Sequence, residues 1–371
     1  MLSRIATLLS SLGLALLAGS CASPGAGPAT TPTFAVDAAW PQPLPNRWLI
    51  GQVSGVAVAP DDHVFVLQRP RSLTADEAAA AANPAPTDCC MPAPPVLEFT
   101  PDGHLVRSWG GPGAGYDWPA NEHGIHVDAQ GFVWITGNGD NDGQVLKFTR
   151  EGRFVLQIGK TGPQTNSADT TRLGRAAGVE VDAAANELYV ADGYHNRRVI
   201  VFDATTGSYK RHWGAYGKPP TTTEAPESRR SLPPTQAQLQ NFGTPVHCVR
   251  IANDGLVYVC DRLNDRIQVF RKDGSFVKEF MISPRTAANG SVWDVVLSRD
   301  AQQRWLHLAD GANNQVLTLD RQTGQVVDTL GRSGRYAGEF HWVHDLAIDS
   351  RGNLYAGEVD TGKRVQKFVR R

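Results

Sequence analysis

An excess of charge of either sign is missing from this chain. Lys and Arg number 36 against 37 Asp and Glu, a formal net charge of -1. Nothing in that balance favours nucleic acid or an anionic membrane surface. Long apolar runs are also scarce. Ile5 to Ala18 is the one such stretch, and it is too short to span a bilayer comfortably. No other segment could cross a membrane. Cysteine is sparse, with five residues in 371, so each one can be considered singly.

Glycine and proline are well represented, with Gly 37 and Pro 24. They suit a turn-rich all-β chain. Hydrophobic residues at 41% and charged residues at 20% suit an ordinary globular protein. The length is ample for a large core and would allow two or three domains. Continuous internal repetition argues instead for one repeat architecture.

The N-terminus reads as a targeting segment outside the fold. Arg4 is a short basic region, and the apolar run leads to Leu17-Ala18-Gly19-Ser20-Cys21. Small residues before a cysteine resemble a bacterial lipoprotein box, with Cys21 as the lipidated first residue. Ordinary signal cleavage near the same point is the alternative. Residues 22–33 read as a flexible tether, and 34–371 as the folded domain. The expected location is the periplasmic or outer face of a bacterial envelope, with a lipid anchor as the one membrane contact. A soluble exported form is the alternative, and a monomer is the expected state.

Export implies an oxidising compartment. Cys248 and Cys260 lie on consecutive strands either side of Asn253-Asp254-Gly255, and counting outward from that turn places them opposite each other. They read as a disulfide or as two buried thiols. Cys89-Cys90 is a vicinal pair in a Pro/Ala-rich insertion from Pro70 to Pro95. A disulfide, a soft-metal site and a loop staple all fit it.

The repeating unit is clearest at Trp342-Val-His-Asp-Leu-Ala-Ile-Asp-Ser-Arg-Gly-Asn-Leu-Tyr-Ala-Gly-Glu358. It reads as a short strand, a tight turn and a second strand. The unit recurs with first strands opening at Ser54, His123, Ala177, His247, Trp293 and His344. Each complete copy offers four short strands. The last copy is one strand short, and the run around Phe34-Ala35-Val36 can supply it, leaving no open edge. The fold expected is all-β, a six-bladed β-propeller. A second phrase, Asp192-Gly-Tyr-His-Asn-Arg-Arg, Asp261-Arg-Leu-Asn-Asp-Arg and Asp310-Gly-Ala-Asn-Asn-Gln, resembles that of NHL-repeat propellers. Asn196, Asn264 and Asn313 read as structural residues of its loop.

Histidine opens copies two, four and six only. In a closed ring, His123, His247 and His344 converge on one axis at one height. Three neutral imidazoles suit a borderline cation such as Zn2+ and leave a fourth position for water or substrate. Arg69, Tyr194 and Arg262 follow second strands and should open on the same mouth. His126, His195 and His341 break the alignment and read as outer or surface residues. Asp345 should point deeper into the channel, where it would either bond to a neighbouring inner strand or, with backbone carbonyls, suit Ca2+.

These phrases, together with Gln52-Val-Ser-Gly-Val-Ala and Ala191-Asp-Gly-Tyr194, resemble the peptidyl-α-hydroxyglycine α-amidating lyase family from about residue 40 to 371. The resemblance implies a zinc held by His123, His247 and His344. It implies Tyr194 as base, and Arg69 and Arg262 flanking the substrate. It also implies a structural calcium on Asp345 and the carbonyls of Val56 and Ile125. The reaction implied removes glyoxylate from an N-(α-hydroxy)glycine end, so the expected partner is a small molecule or a peptide end. Arg262 and the metal would favour the phenolate of Tyr194, and Arg69 would grip the substrate carboxylate. The chain departs from the family in carrying no hydroxylating domain. It also has His195 where the animal enzymes have a disulfide cysteine. A metal-dependent hydrolase such as a lactonase, and a non-catalytic propeller binding a protein or glycan, are the alternatives.

Overall fold

The computed structural model describes residues 1, 30–221 and 232–371. The chain divides into Met1–Thr31 and Pro32–Arg371, and the second unit carries the fold. The signal segment expected over 1–21, most of the tether expected over 22–33 and part of the loop from Lys218 to Gln236 lie outside the described residues.

Six four-stranded antiparallel sheets follow one another along the chain. Blade one is Gln52–Val58, Val64–Arg69, Val96–Phe99 and Leu105–Trp109. Blade two is Glu122–Val127, Val133–Gly137, Gln144–Phe148 and Phe154–Gly159. Blade three is Gly178–Asp182, Glu187–Asp192, Arg198–Asp203 and Tyr209–Trp213. Blade four is Val246–Ile251, Val257–Asp261, Arg266–Phe270 and Phe276–Met281. Blade five is Asp294–Leu297, Trp305–Asp310, Gln315–Asp320 and Val326–Leu330. Blade six is Val343–Ile348, Leu354–Glu358 and Arg364–Arg370, with Phe34–Asp37 as its fourth strand, Phe34 standing opposite Arg370. The first strands of successive blades touch, and that of blade six touches that of blade one. The architecture is a six-bladed β-propeller.

The local chemistry explains the blades. The second strands of blades two to six, such as Val257-Tyr-Val-Cys-Asp261, are buried along their whole length. A strand covered on both faces reads as a continuous apolar run, not as an alternation. The core is therefore a set of apolar layers between blades, such as Tyr189, Val199, Val201 and Trp213 of blade three with Val249, Val257 and Phe270 of blade four. At the turn of blade six, Asp349 Oδ1 accepts from the backbone N–H of Arg351 and Asn353 at 3.0 and 2.8 Å. Gly352 takes a φ of +84° there, which a side chain would strain.

The repeated Asp/Asn/Arg phrase is a buried brace. Asp192 accepts from Gly174 N–H at 2.6 Å, Asn196 Nδ2 at 2.8 Å and Arg198 Nε at 2.8 Å. Asp261 repeats the pattern with Gly243 N–H at 2.7 Å, Asn264 Nδ2 at 2.8 Å and Arg266 Nε at 2.7 Å. In blade five, Asp310 holds Asn313 Nδ2 at 2.7 Å, with Gln315 in place of the arginine. Cys248 and Cys260 stand opposite each other and are joined as a disulfide, with Cα atoms 4.8 Å apart. Cys89 and Cys90 are joined as well. The insertion from Pro70 to Pro95 returns to the entry segment, where Met91–Pro92 pairs parallel with Trp48–Leu49.

Candidate metal centre

The three histidines sit where their strands are irregular. In blade four Val246 pairs with Asp261 and Cys248 with Cys260, which leaves His247 as an extra residue on one strand. The same slip leaves His344 between Val343 and Asp345, and His123 between Glu122 and Ile125. A bulge re-aims the side chain it carries. Here it turns each imidazole toward the propeller axis. The ring centroids are 4.8 to 5.0 Å apart, and the three rings are 2 to 4% exposed. Their ligand nitrogens lie within 4.8 Å of one another.

Each ring is locked by a backbone carbonyl of the next blade. His123 Nδ1 lies 2.9 Å from Ala177 O, His247 Nδ1 2.5 Å from Trp293 O and His344 Nδ1 2.8 Å from Ser54 O. A carbonyl oxygen accepts only, so Nδ1 carries the proton and Nε2 keeps its lone pair for the axis. The blades whose first strand opens without a histidine thus supply the carbonyls that fix the tautomers of the others. Burial pushes all three imidazoles well below the ordinary histidine value, and nearby positive charge adds to this. They stand neutral, the form that binds metal. The donor set fits one metal ion.

Tyr194 lies over this triangle. Its hydroxyl is 2.9 Å from His123 Nε2 and 3.2 Å from His247 Nε2. Arg262 donates Nη1–H to the same oxygen at 3.1 Å, and its guanidinium stacks 4.6 Å from the Trp293 ring. Arg262 Nε is buried without a partner, a donor left over for a ligand. Arg69 is held beside His123, donating to Glu122 O at 2.6 Å and to Gln52 Oε1 at 2.7 Å. The structure therefore gathers His123, His247, His344, Tyr194, Arg262 and Arg69 at one end of the channel.

Asp345 points into the channel, and Val56 meets it through a donated N–H, to Oδ2 at 2.6 Å. Ile125 lines the same small enclosed space as Asp345 and the histidines. The guanidinium of Arg250 lies among these oxygens, 3.5 Å from Asp345 Oδ1 and 2.8 Å from Asp294 Oδ1. Where the resemblance implied calcium on Asp345 and the carbonyls of Val56 and Ile125, a guanidinium stands 3.5 Å from the carboxylate.

Other residues entered unforeseen. Trp293 opens blade five at the position aligned with the histidines and carries Arg262, a signal present in the repeat alignment. Glu122 accepts from Trp118 Nε1 at 2.8 Å and from Arg71 at 3.1 Å, tying the insertion after Arg69 to the residue before His123. His126 is not an outer residue. It belongs to a lower ring of the channel, with Nδ1 4.0 Å from Glu180. His341 contacts Thr361 away from the triangle.

No protein-family model matches the chain. It is 27% identical over 245 residues to peptidyl-glycine alpha-amidating monooxygenase B of Xenopus laevis, covering 64% of this chain and 25% of that protein. The chain thus spans about a quarter of the length of this relative. It is 23% identical over 320 residues to the probable peptidyl-alpha-hydroxyglycine alpha-amidating lyase pgal-1 of Caenorhabditis elegans, covering 85% of this chain and 81% of that one. It is 27% identical over 357 residues to NHL repeat-containing protein 3 of Mus musculus, at 91% and 84% coverage. Among solved structures, a structural genomics protein of unknown function from Bacteroides thetaiotaomicron superposes with a TM-score of 0.57 at 15% identity, over 87% of this chain and 70% of that one. That likeness concerns the fold alone. The chain is a six-bladed β-propeller. Its homologues include amidating enzymes, a lyase named for peptidyl-α-hydroxyglycine and NHL repeat proteins.

Proposed function

We propose that this protein is a zinc-dependent lyase that cleaves an N-(α-hydroxy)glycine-type carbinolamide to an amide and glyoxylate. The observation that carries the reading is the convergence of three carbonyl-locked histidines with Tyr194 and Arg262 on one point. A transition metal needs the first group, and a carbinol proton needs the second. A relative named as an α-amidating lyase over 81% of its own length supports it.

Zinc held by His123, His247 and His344 would supply Lewis acidity toward the substrate hydroxyl or carboxylate. Tyr194 Oη, entering as a phenolate beside the guanidinium of Arg262, takes the hydroxyl proton and later returns it to the departing amide nitrogen. The carbon–oxygen double bond of glyoxylate forms as the carbon–nitrogen bond breaks. The departing amide nitrogen takes up one proton, so no further reactant is consumed. Arg69, anchored through Nε and Nη1, presents its remaining face to the substrate carboxylate. The joined cysteines fit the exported location.

A non-catalytic propeller is the second reading, because the NHL repeat-containing relative covers more of the chain and its name carries no reaction. One experiment separates the two. The purified chain is analysed for metal beside His247→Ala, and both are given α-hydroxyhippurate. About one zinc per chain and release of glyoxylate, both lost in His247→Ala, establish the lyase. Zinc without turnover of hydroxyglycines, but with turnover of lactones or esters, assigns a metal hydrolase. A chain that takes up no transition metal leaves the binding propeller.

A further inference from the structure

Beneath the three histidines the channel is crossed by a charged layer that the proposed reaction does not use. Asp345 follows His344, and Asp294 follows Trp293 at the matching place in blade five. Each is fixed by a backbone N–H of the next blade: Val56 to Asp345 at 2.6 Å and Leu346 to Asp294 at 3.0 Å. Arg250 reaches between them from blade four. Its Nη2 lies 2.8 and 2.9 Å from the two oxygens of Asp294 and 3.5 Å from Asp345 Oδ1. Its Nε donates to Val295 O at 3.1 Å and its Nη1 to Val249 O at 3.1 Å. Glu180 Oε2 stands 3.9 Å from Nη1.

Two carboxylates, two backbone carbonyls and a third carboxylate nearby form an all-oxygen surround of the kind a calcium ion takes. In this chain the surround closes on a guanidinium. Arginine is always charged and presents several donors in a plane, so it can satisfy several fixed oxygens at once. Asp294 and Asp345 are both adjacent to residues of the histidine layer, and their backbone contacts tie blades five, six and one together.

We propose that Arg250 is a built-in cation that takes the place of a divalent ion between Asp294 and Asp345, so that the channel floor beneath the histidines is held without calcium. The inference stands apart from the lyase reading, since no turnover enters its test.

The full chain is freed of loosely held ions over a chelating resin, loaded with zinc, and analysed for calcium. Its melting temperature is then read with and without 1 mM calcium chloride, beside Arg250→Ala and Arg250→Lys. The wild type is expected to hold no calcium and to melt at the same temperature in both buffers. Arg250→Lys, which keeps the charge, should behave alike. Arg250→Ala empties the space between the carboxylates and should bind about one calcium per chain. An ion present at about a hundred times its Kd would raise its melting temperature by about 4 °C. Stoichiometric calcium in the wild type, or a wild-type melting temperature that rises with calcium, would overturn the proposal. So would an Arg250→Ala protein that folds and ignores calcium. If Arg250→Ala does not fold, the wild-type calcium content and melting shift decide alone.

Discussion

Tyr194 is the side chain on which the site converges. Its oxygen meets two imidazole nitrogens and one guanidinium N–H, so a single atom links the histidine triangle to Arg262. Removing that atom leaves the ring and the triangle in place. Tyr194→Phe is expected to retain about one zinc per chain while kcat on α-hydroxyhippurate falls by roughly 10² to 10⁴-fold, the usual worth of a proton-transfer group. Metal analysis beside steady-state kinetics checks this, and unchanged turnover would remove Tyr194 from the chemistry. The residue was legible in the sequence because Ala191-Asp-Gly-Tyr194 closes a second strand in a repeated frame. Arg250 was not. It lies three residues beyond His247, on the same strand, and only the closed ring shows that Asp294 and Asp345 arrive from two other blades to meet it.

At the scale of the element, the bulged first strand and the braced second loop explain why a repeat can carry chemistry. The bulge turns one side chain out of the regular pleat. The brace keeps the loop above it still. Asp261 is fully buried and holds Asn264 and Arg266 together, directly beside Arg262. Asp261→Ala would leave the Arg266 guanidinium buried with much of its compensation gone. A loss of about 3–5 kcal/mol is expected on that ground, readable by chemical denaturation, with Arg262 losing its placement as well. A loss below 1 kcal/mol would mean the brace is ornamental. The sequence showed the phrase and its structural role, since Asp recurs with Asn three or four residues on. It did not show the bulges, because an extra residue in a strand has no residue type of its own.

For the whole molecule, the ring is closed where blade six meets both its neighbours. His307 of blade five lies at one of these seams, its ring 5.2 Å edge-on from Phe34 and its Nδ1 3.0 Å from Thr318 Oγ1. Burial, with some help from Arg370, lowers its pKa to about 4. An unfolded chain would bind a proton there near the ordinary histidine value of about 6.5, while the folded chain resists. The neutral ring therefore contributes stability that is full above pH about 6.5 and is lost as pH falls toward about 4. Unfolding free energies over that window should fall by roughly 3 kcal/mol more in the wild type than in His307→Gln. Parallel curves for the two proteins would show that the seam does not titrate. The count of six blades was legible from the repeat period and from the missing strand of the last copy. The seam chemistry was not, because His307 and Phe34 lie far apart along the chain.

The carbonyl locks on the histidines divide the ring into two kinds of position. His123, His247 and His344 act through what they are; Ser54, Ala177 and Trp293 act through where their backbone is. A lock made of main chain has no spelling, which is why a serine, an alanine and a tryptophan can hold equivalent places. A saturation scan should therefore find residues 54 and 177 permissive to other small side chains and the three histidines intolerant. Half of the machinery around the three imidazoles would then be invisible to any genetic experiment that changes letters, and open only to one that changes the number of letters between blades.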